Sequence, residues 1–271
     1  METASKMTKA TADKHESFES IRNRSFENQT SVGFDGRFLI PGKLVDSPHP
    51  DMSLLDAIIT RRTSRSYRPE PVPYEVFEWL VNTAAHAPTA CNEQKWKVIY
   101  IDDRKIFDEL YARGSAAFLK NVNQAMIVLY NKQTDNTKYD DHVQSGAAFI
   151  TTFSFLAHTM GIGSCWIGHI PPRGEIRRMF GIDRCFDPIA VVTFGYYTNK
   201  VKPRPRKKQG TELIARNHFT FENLAFHSQK KNVYLRRFLI AVYYAVPPII
   251  RKRLRHLTMP YEKKFYDEVS D

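Results

Sequence analysis

Polar and apolar positions alternate in blocks along the chain, and the blocks predict a helix-and-strand protein with unpatterned ends. Residues 1–30 are polar with no apolar period, and residues 31–50, with Gly33, Gly36, Pro41, Gly42, Pro48 and Pro50, read as an irregular arm. Ser53 then opens a helix whose stripe is Leu54, Leu55, Ile58 and Ile59, expected to be buried, with Asp56 suited to the positive helix end. Pro73 starts a second helix, in which Val76, Phe77, Leu80, Val81 and Ala84 recur at helical spacing until Pro88. Lys97–Ile101 reads as a strand, 105–118 as a helix, and Ala125–Tyr130 as a strand covered on both faces. Asp141–Met160 is apolar over most of its circumference and predicts a buried central helix ended by Gly161 and Gly163. A short strand through Ser164-Cys165-Trp166-Ile167, a short helix over 174–180 and a strong strand over 188–196 follow. This alternation predicts an α+β fold, an α/β sandwich around one sheet.

Composition narrows the class. The chain has 271 residues, enough for one substantial core with arms, and its 42% hydrophobic and 25% charged residues are ordinary for a globular protein. Three cysteines, Cys91, Cys165 and Cys185, have no metal spacing and cannot pair completely, which favours a reducing, cytoplasmic setting. The N-terminus has no apolar h-region, so no secretory signal is expected. The net charge of +11 is concentrated at the C-terminal end: from Lys230 to Lys264 the only acid is Glu262. A nearly balanced body with a basic tail argues against a nucleic-acid-binding domain.

Two stretches carry candidate chemistry. Arg61-Arg62-Thr63-Ser64-Arg65-Ser66-Tyr67 delivers three guanidinium groups from the end of a helix, and such a cluster suits an anionic ligand or a solvated helix end. Ala87-Pro88-Thr89-Ala90-Cys91-Asn92-Glu93-Gln94-Lys95-Trp96 supplies a polar loop that could line the edge of a planar ligand. His86, His142, His158 and His169 are scattered and read as structural or exposed, so no side-chain general base stands out. Cys91 and Cys165 read as packing residues, and Trp96 and Trp166 as core or interface aromatics. The loop Lys200–Lys208 holds two prolines among charges of one sign and suits ligand phosphate.

These residues resemble the FMN-dependent nitroreductase family. The resemblance is carried by the Arg61–Tyr67 stretch, the Pro71-Val72-Pro73 helix entry, the Ala87–Trp96 loop and the Gly146-Ala147-Ala148 helix. It continues through the Met160–Gly168 turn and Val192-Thr193-Phe194-Gly195-Tyr196, and so covers residues 52–217. It implies a nitroreductase-like fold with a central mixed sheet flanked by helices, an intertwined homodimer, FMN as cofactor, and NADH or NADPH as electron donor. A 51–220 flavin domain would lie between a 1–50 arm and a 221–271 extension. By the same resemblance Arg61, Arg62, Thr63 and Arg65 contact FMN, Arg61 on the phosphate side and Arg65 at the flavin N1/O2 edge. Asn92, with Gln94 in the same loop, faces the pyrimidine part of the ring. Ile167 and Gly168 bring a backbone N–H toward N5, and Arg206 and Lys208 close on the phosphate. Thr63 stands where Ser is more usual, and Lys95 where Pro commonly precedes the Trp, which adds a cation near the ring.

The implied activity is reduction of a small electron-poor acceptor, nitroaromatic or quinone-like, or of a dedicated metabolite. A flavin-dependent dehydrogenase or dehalogenase, or a flavin-binding or membrane-surface module without turnover, are the alternatives. The tail segment Phe238–Ile250, broken by Pro247-Pro248, is too short to span a bilayer. It reads as an arm packed on the core or a partner subunit, with contact to an anionic membrane surface as the second reading.

Overall fold

The structure, a computed structural model, describes residues 37–40, 43–46, 52–134, 137–198, 213–219 and 233–253. The chain separates into two units, Met1–Ser53 and Leu54–Asp271. Within the first, the stretch expected to be irregular contains a hairpin of β1 (Arg37–Ile40) and β2 (Lys43–Asp46), antiparallel with Ile40 opposite Lys43. The two residues between these strands are Pro41 and Gly42, so the apolar runs on either side outweigh the turn formers that suggested a loop.

The second unit is built on a four-stranded sheet of β3 (Trp96–Ile101), β4 (Ala125–Asn131), β5 (Ile162–Ile167) and β6 (Phe186–Tyr196), in the order β3-β4-β6-β5. All three pairings are antiparallel. The mixed character expected of the sheet is confined to its β5 edge, where Thr63 forms an isolated parallel bridge to Ser164. Among the described residues the helices of this unit include α1 (Leu54–Thr60), α2 (Tyr74–Ala84), α3 (Arg104–Ala112), α4 (Asp141–Thr159), α5 (Arg173–Phe180) and α6 (Val233–Ala245).

Successive side chains of a strand point to opposite faces, so the continuous apolar run of β4 serves two layers. Ile127 and Leu129, with Val191 of β6, pack with Phe107 and Leu110 of α3 and Ile176 of α5. On the other face Phe77 of α2 stacks on Phe194 of β6 with ring centroids 5.2 Å apart, and Phe153 of α4 meets Phe194 at 5.8 Å. Each buried phenyl group contributes about 1.5–3 kcal/mol by leaving water, so these two layers dominate the stability of the unit. The α/β sandwich read from the sequence is the fold observed.

Two of the expected elements need correction. The helix expected over 105–118 stops at Ala112, because Gly114 takes φ +106° and the chain re-enters as a 3-10 turn over Ala117–Asn121. On α1 only Ala57 is buried; Leu54 is 69% exposed and Ile59 57%, with Leu55 and Ile58 also in solvent. Amphipathic spacing had marked a stripe that this chain does not itself cover. The C-terminal apolar run is α6, broken at Pro247-Pro248 and continued as helix over 248–253. No described helix is long and apolar enough to cross a membrane.

Candidate functional site

The Arg61–Tyr67 stretch leaves α1 and lies along the exposed edge of β5. Ser64 donates its backbone N–H to the Ser164 carbonyl at 3.0 Å, and Tyr67 bridges Tyr197. Two glycines make this approach possible. A Cβ on Gly163 would come within 2.9 Å of the Ser64 Cβ and 2.7 Å of the Tyr197 ring, and one on Gly195 within 2.8 Å of the Tyr67 Cβ. Tyr67 fixes the far end by donating its hydroxyl to the Ser64 carbonyl at 2.7 Å, with Thr193 Oγ1 2.8 Å away.

So held, the stretch sets Arg61 and Arg65 within electrostatic reach of β5. Both act electrostatically on Cys165, opposing the burial that pushes its thiol up to about 11. Arg61 also faces Tyr197, whose burial raises its phenol to about 12, and Arg65 faces Tyr67, which burial likewise raises. Arg62 has a different role from its neighbours. Its Nη1 donates to the carbonyls of Ile59 at 2.6 Å and Arg61 at 2.8 Å, capping the last turn of α1. Its Nε is buried with no hydrogen-bond partner among the described residues. Thr63 is exposed beside them. β5 ends at the buried Ile167, and Gly168 follows; a Cβ there would meet nothing within 4 Å. Backbone at this point is open to a planar group.

The second stretch forms a strained loop. Cys91, Asn92 and Gln94 have φ of 49°, 55° and 50°, left-handed values that Asn tolerates and Cys and Gln rarely adopt. Gln94 Nε2 donates to Asn92 Oδ1 at 2.7 Å, which leaves the Asn92 amide N–H groups as the donors presented to solvent. Ser145 of α4, which sequence reasoning missed, receives the Ala90 N–H at 3.3 Å on its hydroxyl and the Trp96 indole N–H at 3.2 Å on its carbonyl. A serine in an apolar helix gave no signal of this role. Trp96 is thus a structural aromatic, packed 5.8 Å from Phe149, whereas Trp166 is 44% exposed on the β5 edge. Lys95 is not a bare cation: its Nζ is 2.9 Å from Glu93 Oε1 and 3.0 Å from the Gln133 carbonyl.

One chain does not bring the two stretches together. Thr60 contacts His158 at 2.9 Å near the C-terminal end of α4, while Ala90 contacts Ser145, about 20 Å nearer its start at 1.5 Å per residue. Across the sheet, Trp96 lies level with Tyr130 and Asp187, and Cys165 level with Thr193 on the opposite edge strand. That is about 14 Å across the strands and about 20 Å along them. Arg61 and Arg65, beside β5, and Asn92 with Gln94, in the loop before β3, therefore belong to separate places on one chain. Arg206 and Lys208 lie outside the described residues.

The histidines are structural. His158 links Thr60 to the Tyr197 hydroxyl, 2.9 Å from its Nδ1, and so ties α1 to the end of β6. His142 is buried, and burial lowers its basicity; Asp187, 3.4 Å away, is already engaged by Arg173 and Arg177 and offers it little net charge. His86 and His169 are exposed. No cluster of metal ligands occurs among the described residues.

The sequence pattern described as the nitroreductase family matches residues 58–133 and 109–196. A relative from Archaeoglobus fulgidus, provisionally named NADH dehydrogenase/NAD(P)H nitroreductase, is 33% identical over 151 residues, covering 52% of this chain and 84% of that one. One from Methanothermobacter thermautotrophicus with the same provisional name is 28% identical, covering 56% and 81%. Among solved structures, a protein from Clostridium acetobutylicum provisionally named an NADH oxidase superposes with a TM-score of 0.53 at 26% identity, covering 60% of this chain and 100% of its own. An FMN-dependent nitroreductase from Clostridium difficile superposes with the same TM-score of 0.53 at 22% identity, covering 61% and 99%.

Proposed function

The chain belongs to the nitroreductase family and is an oxidoreductase, and from that premise we propose that it is an FMN-dependent NAD(P)H oxidoreductase acting on a small electron-poor acceptor. The observation that carries this reading is the seating of the arginine-bearing Arg61–Tyr67 stretch on the edge of β5, through Thr63 and Ser64 against Ser164, on the strand that leads into the open backbone at Gly168. The chemistry FMN supplies when bound is hydride acceptance from NADH or NADPH and delivery to the acceptor over the same face, a ping-pong exchange.

The residues present fit that group. Arg61 supplies a charge for the phosphate, and Arg65 fixes a positive charge where negative charge would gather at the N1/O2 edge. Arg62 has a buried Nε without a hydrogen-bond partner among the described residues, and Thr63 offers an exposed hydroxyl. The backbone N–H at Gly168 would orient N5, with the buried Ile167 holding the strand end before it. Asn92 directs its amide donors toward the pyrimidine edge, with Gln94 holding its rotamer. Arg206 and Lys208 belong to the same proposal as a closing pair on the phosphate. None of these groups needs to transfer a proton.

The two separate places call for a homodimer, in which each flavin rests on the Arg61–Arg65 edge of one copy and the Asn92 loop of the other. The exposed apolar face of α1 supports this arrangement, since a two-fold contact would cover it. In the same reading residues 51–220 are the flavin domain, between a 1–50 arm and a 221–271 extension. A cytoplasmic location is favoured by three free thiols.

The test is a visible spectrum of the protein after loading with FMN and desalting, followed by NAD(P)H oxidation with a quinone or nitroarene. The proposal expects a retained flavin band and acceptor-dependent turnover. Loss of a charge-assisted contact in Arg65→Ala should weaken FMN binding about 10- to 100-fold. Protein that emerges without flavin, or Arg65→Ala that binds FMN as well as the parent, refutes it.

A further inference from the structure

The fold shared with the solved relatives accounts for about three-fifths of this chain and all of theirs, and α6 lies outside the family-matched residues 58–196. Among the described residues, Tyr243, Tyr244 and Arg251 fasten α6 and the helical residues 248–253 to the body. Tyr244 donates its hydroxyl to the Ile170 carbonyl at 3.2 Å, and the Tyr243 ring fills the space beside Gly114, where a Cβ would meet it at 3.2 Å. Arg251 is fully buried, paired with the carboxylate of Glu175 and donating to the Arg113 carbonyl at 2.8 Å.

The opposite side is apolar. At about 100° per residue, Ala241, Ala245, Phe238, Val242 and Leu239 form a continuous arc of about 160°. All five are exposed, Phe238 at 64% and Val242 at 46%, and Ile249 and Ile250 extend the surface past the proline break. No acid occurs between Lys230 and Lys264 except Glu262, while Lys252 and Arg253 flank the face in solvent and Arg236 and Arg237 precede it in the sequence.

We propose that this face is a docking surface for an anionic lipid bilayer, with α6 lying in the headgroup region, parallel to the membrane plane. An apolar face flanked by cations, on a segment too short to span, has the chemistry of an interfacial helix. Pairing of this face with itself across a two-fold axis would bring two acid-poor, basic surfaces together, whereas phosphate headgroups supply the missing negative charge. Arg251, turned inward onto Glu175, fixes the helix to the enzyme so that the bound membrane holds the whole molecule. The proposal does not depend on the flavin reading.

The test is co-sedimentation of the full-length protein with phosphatidylserine/phosphatidylcholine vesicles and with pure phosphatidylcholine vesicles, alongside its mass in solution. Partition onto the anionic vesicles should exceed that onto neutral ones at least about tenfold and weaken at about 1 M salt, where the Debye length is about 3 Å. Phe238→Glu/Val242→Glu should abolish it and leave flavin content unchanged. Lys252→Glu/Arg253→Glu, with the apolar face intact, should weaken it about tenfold or more. Equal partition onto both vesicle types, no partition at all, or equal partition of parent and Phe238→Glu/Val242→Glu overturns the proposal. So does a Phe238→Glu/Val242→Glu protein that changes oligomeric mass while keeping its vesicle binding, which would assign the face to a second copy or another protein.

Discussion

Gly163 has no room for a methyl group, because the Ser64 Cβ and the Tyr197 ring would both lie under 3.0 Å from it. Gly163→Ala must therefore push the arginine-bearing stretch off the β5 edge, at a cost of about 1–3 kcal/mol in overpacking. FMN retention should fall more steeply than thermal stability, and a variant with an unchanged FMN affinity would show that the stretch need not sit on the sheet. Cys165 gives a second check on the local field. With its thiol pushed up to about 11 it holds about a thousandth of its population as thiolate at pH 8. Alkylation at pH 8 mapped by mass spectrometry should label exposed Cys91 and spare Cys165; equal labelling would mean that β5 is open to solvent. The residue types of both stretches were legible in the sequence because anion and ring-edge chemistry restrict what can stand there. What Arg62 does was not: three arginines in a row of five look equivalent until one folds back on the α1 carbonyls.

Elements were legible wherever one period ran uninterrupted. α4 and β4 emerge close to their expected bounds, because a long apolar helix and a six-residue apolar run have few other places to go. The helix expected over 105–118 fails at Gly114, whose φ of +106° turns the chain out of the helix, and the Tyr243 ring, far along the chain, occupies the space a side chain there would need. The α1 stripe shows a different limit, since spacing reports that a face is apolar and not what covers it. The same holds for α6, where Arg251 was counted with the basic tail but is the buried anchor. Arg251→Ala removes one of two guanidinium partners of the buried Glu175 carboxylate, leaving Arg113 Nη1 at 3.7 Å, so the cost lies below about 3–5 kcal/mol, the value for a carboxylate stripped of every partner. Amide hydrogen exchange should speed up across Val233–Ala245 and α5, and leave β4 and β6 slow. Exchange in α6 that matches the parent would show that the tyrosines alone hold the helix.

At the scale of the whole molecule, the sandwich separates the two stretches that the proposed flavin site uses. α4 runs between them, the Arg61–Arg65 stretch by its C-terminal end and the Asn92 loop by its start, so that proposal requires two copies. The sequence showed both stretches but could not show that a long helix lies between them. The most direct measurement is subunit complementation. Arg65→Ala and Asn92→Ala proteins, each impaired in FMN binding alone, are mixed, dissociated and reassembled, and the flavin retained is measured after desalting. A shared site restores full affinity at one of the two sites in each mixed dimer. With half of the dimers mixed, about a quarter of all sites recover. Retention no greater than the mean of the two separate variants would place both contacts on one chain and contradict the account.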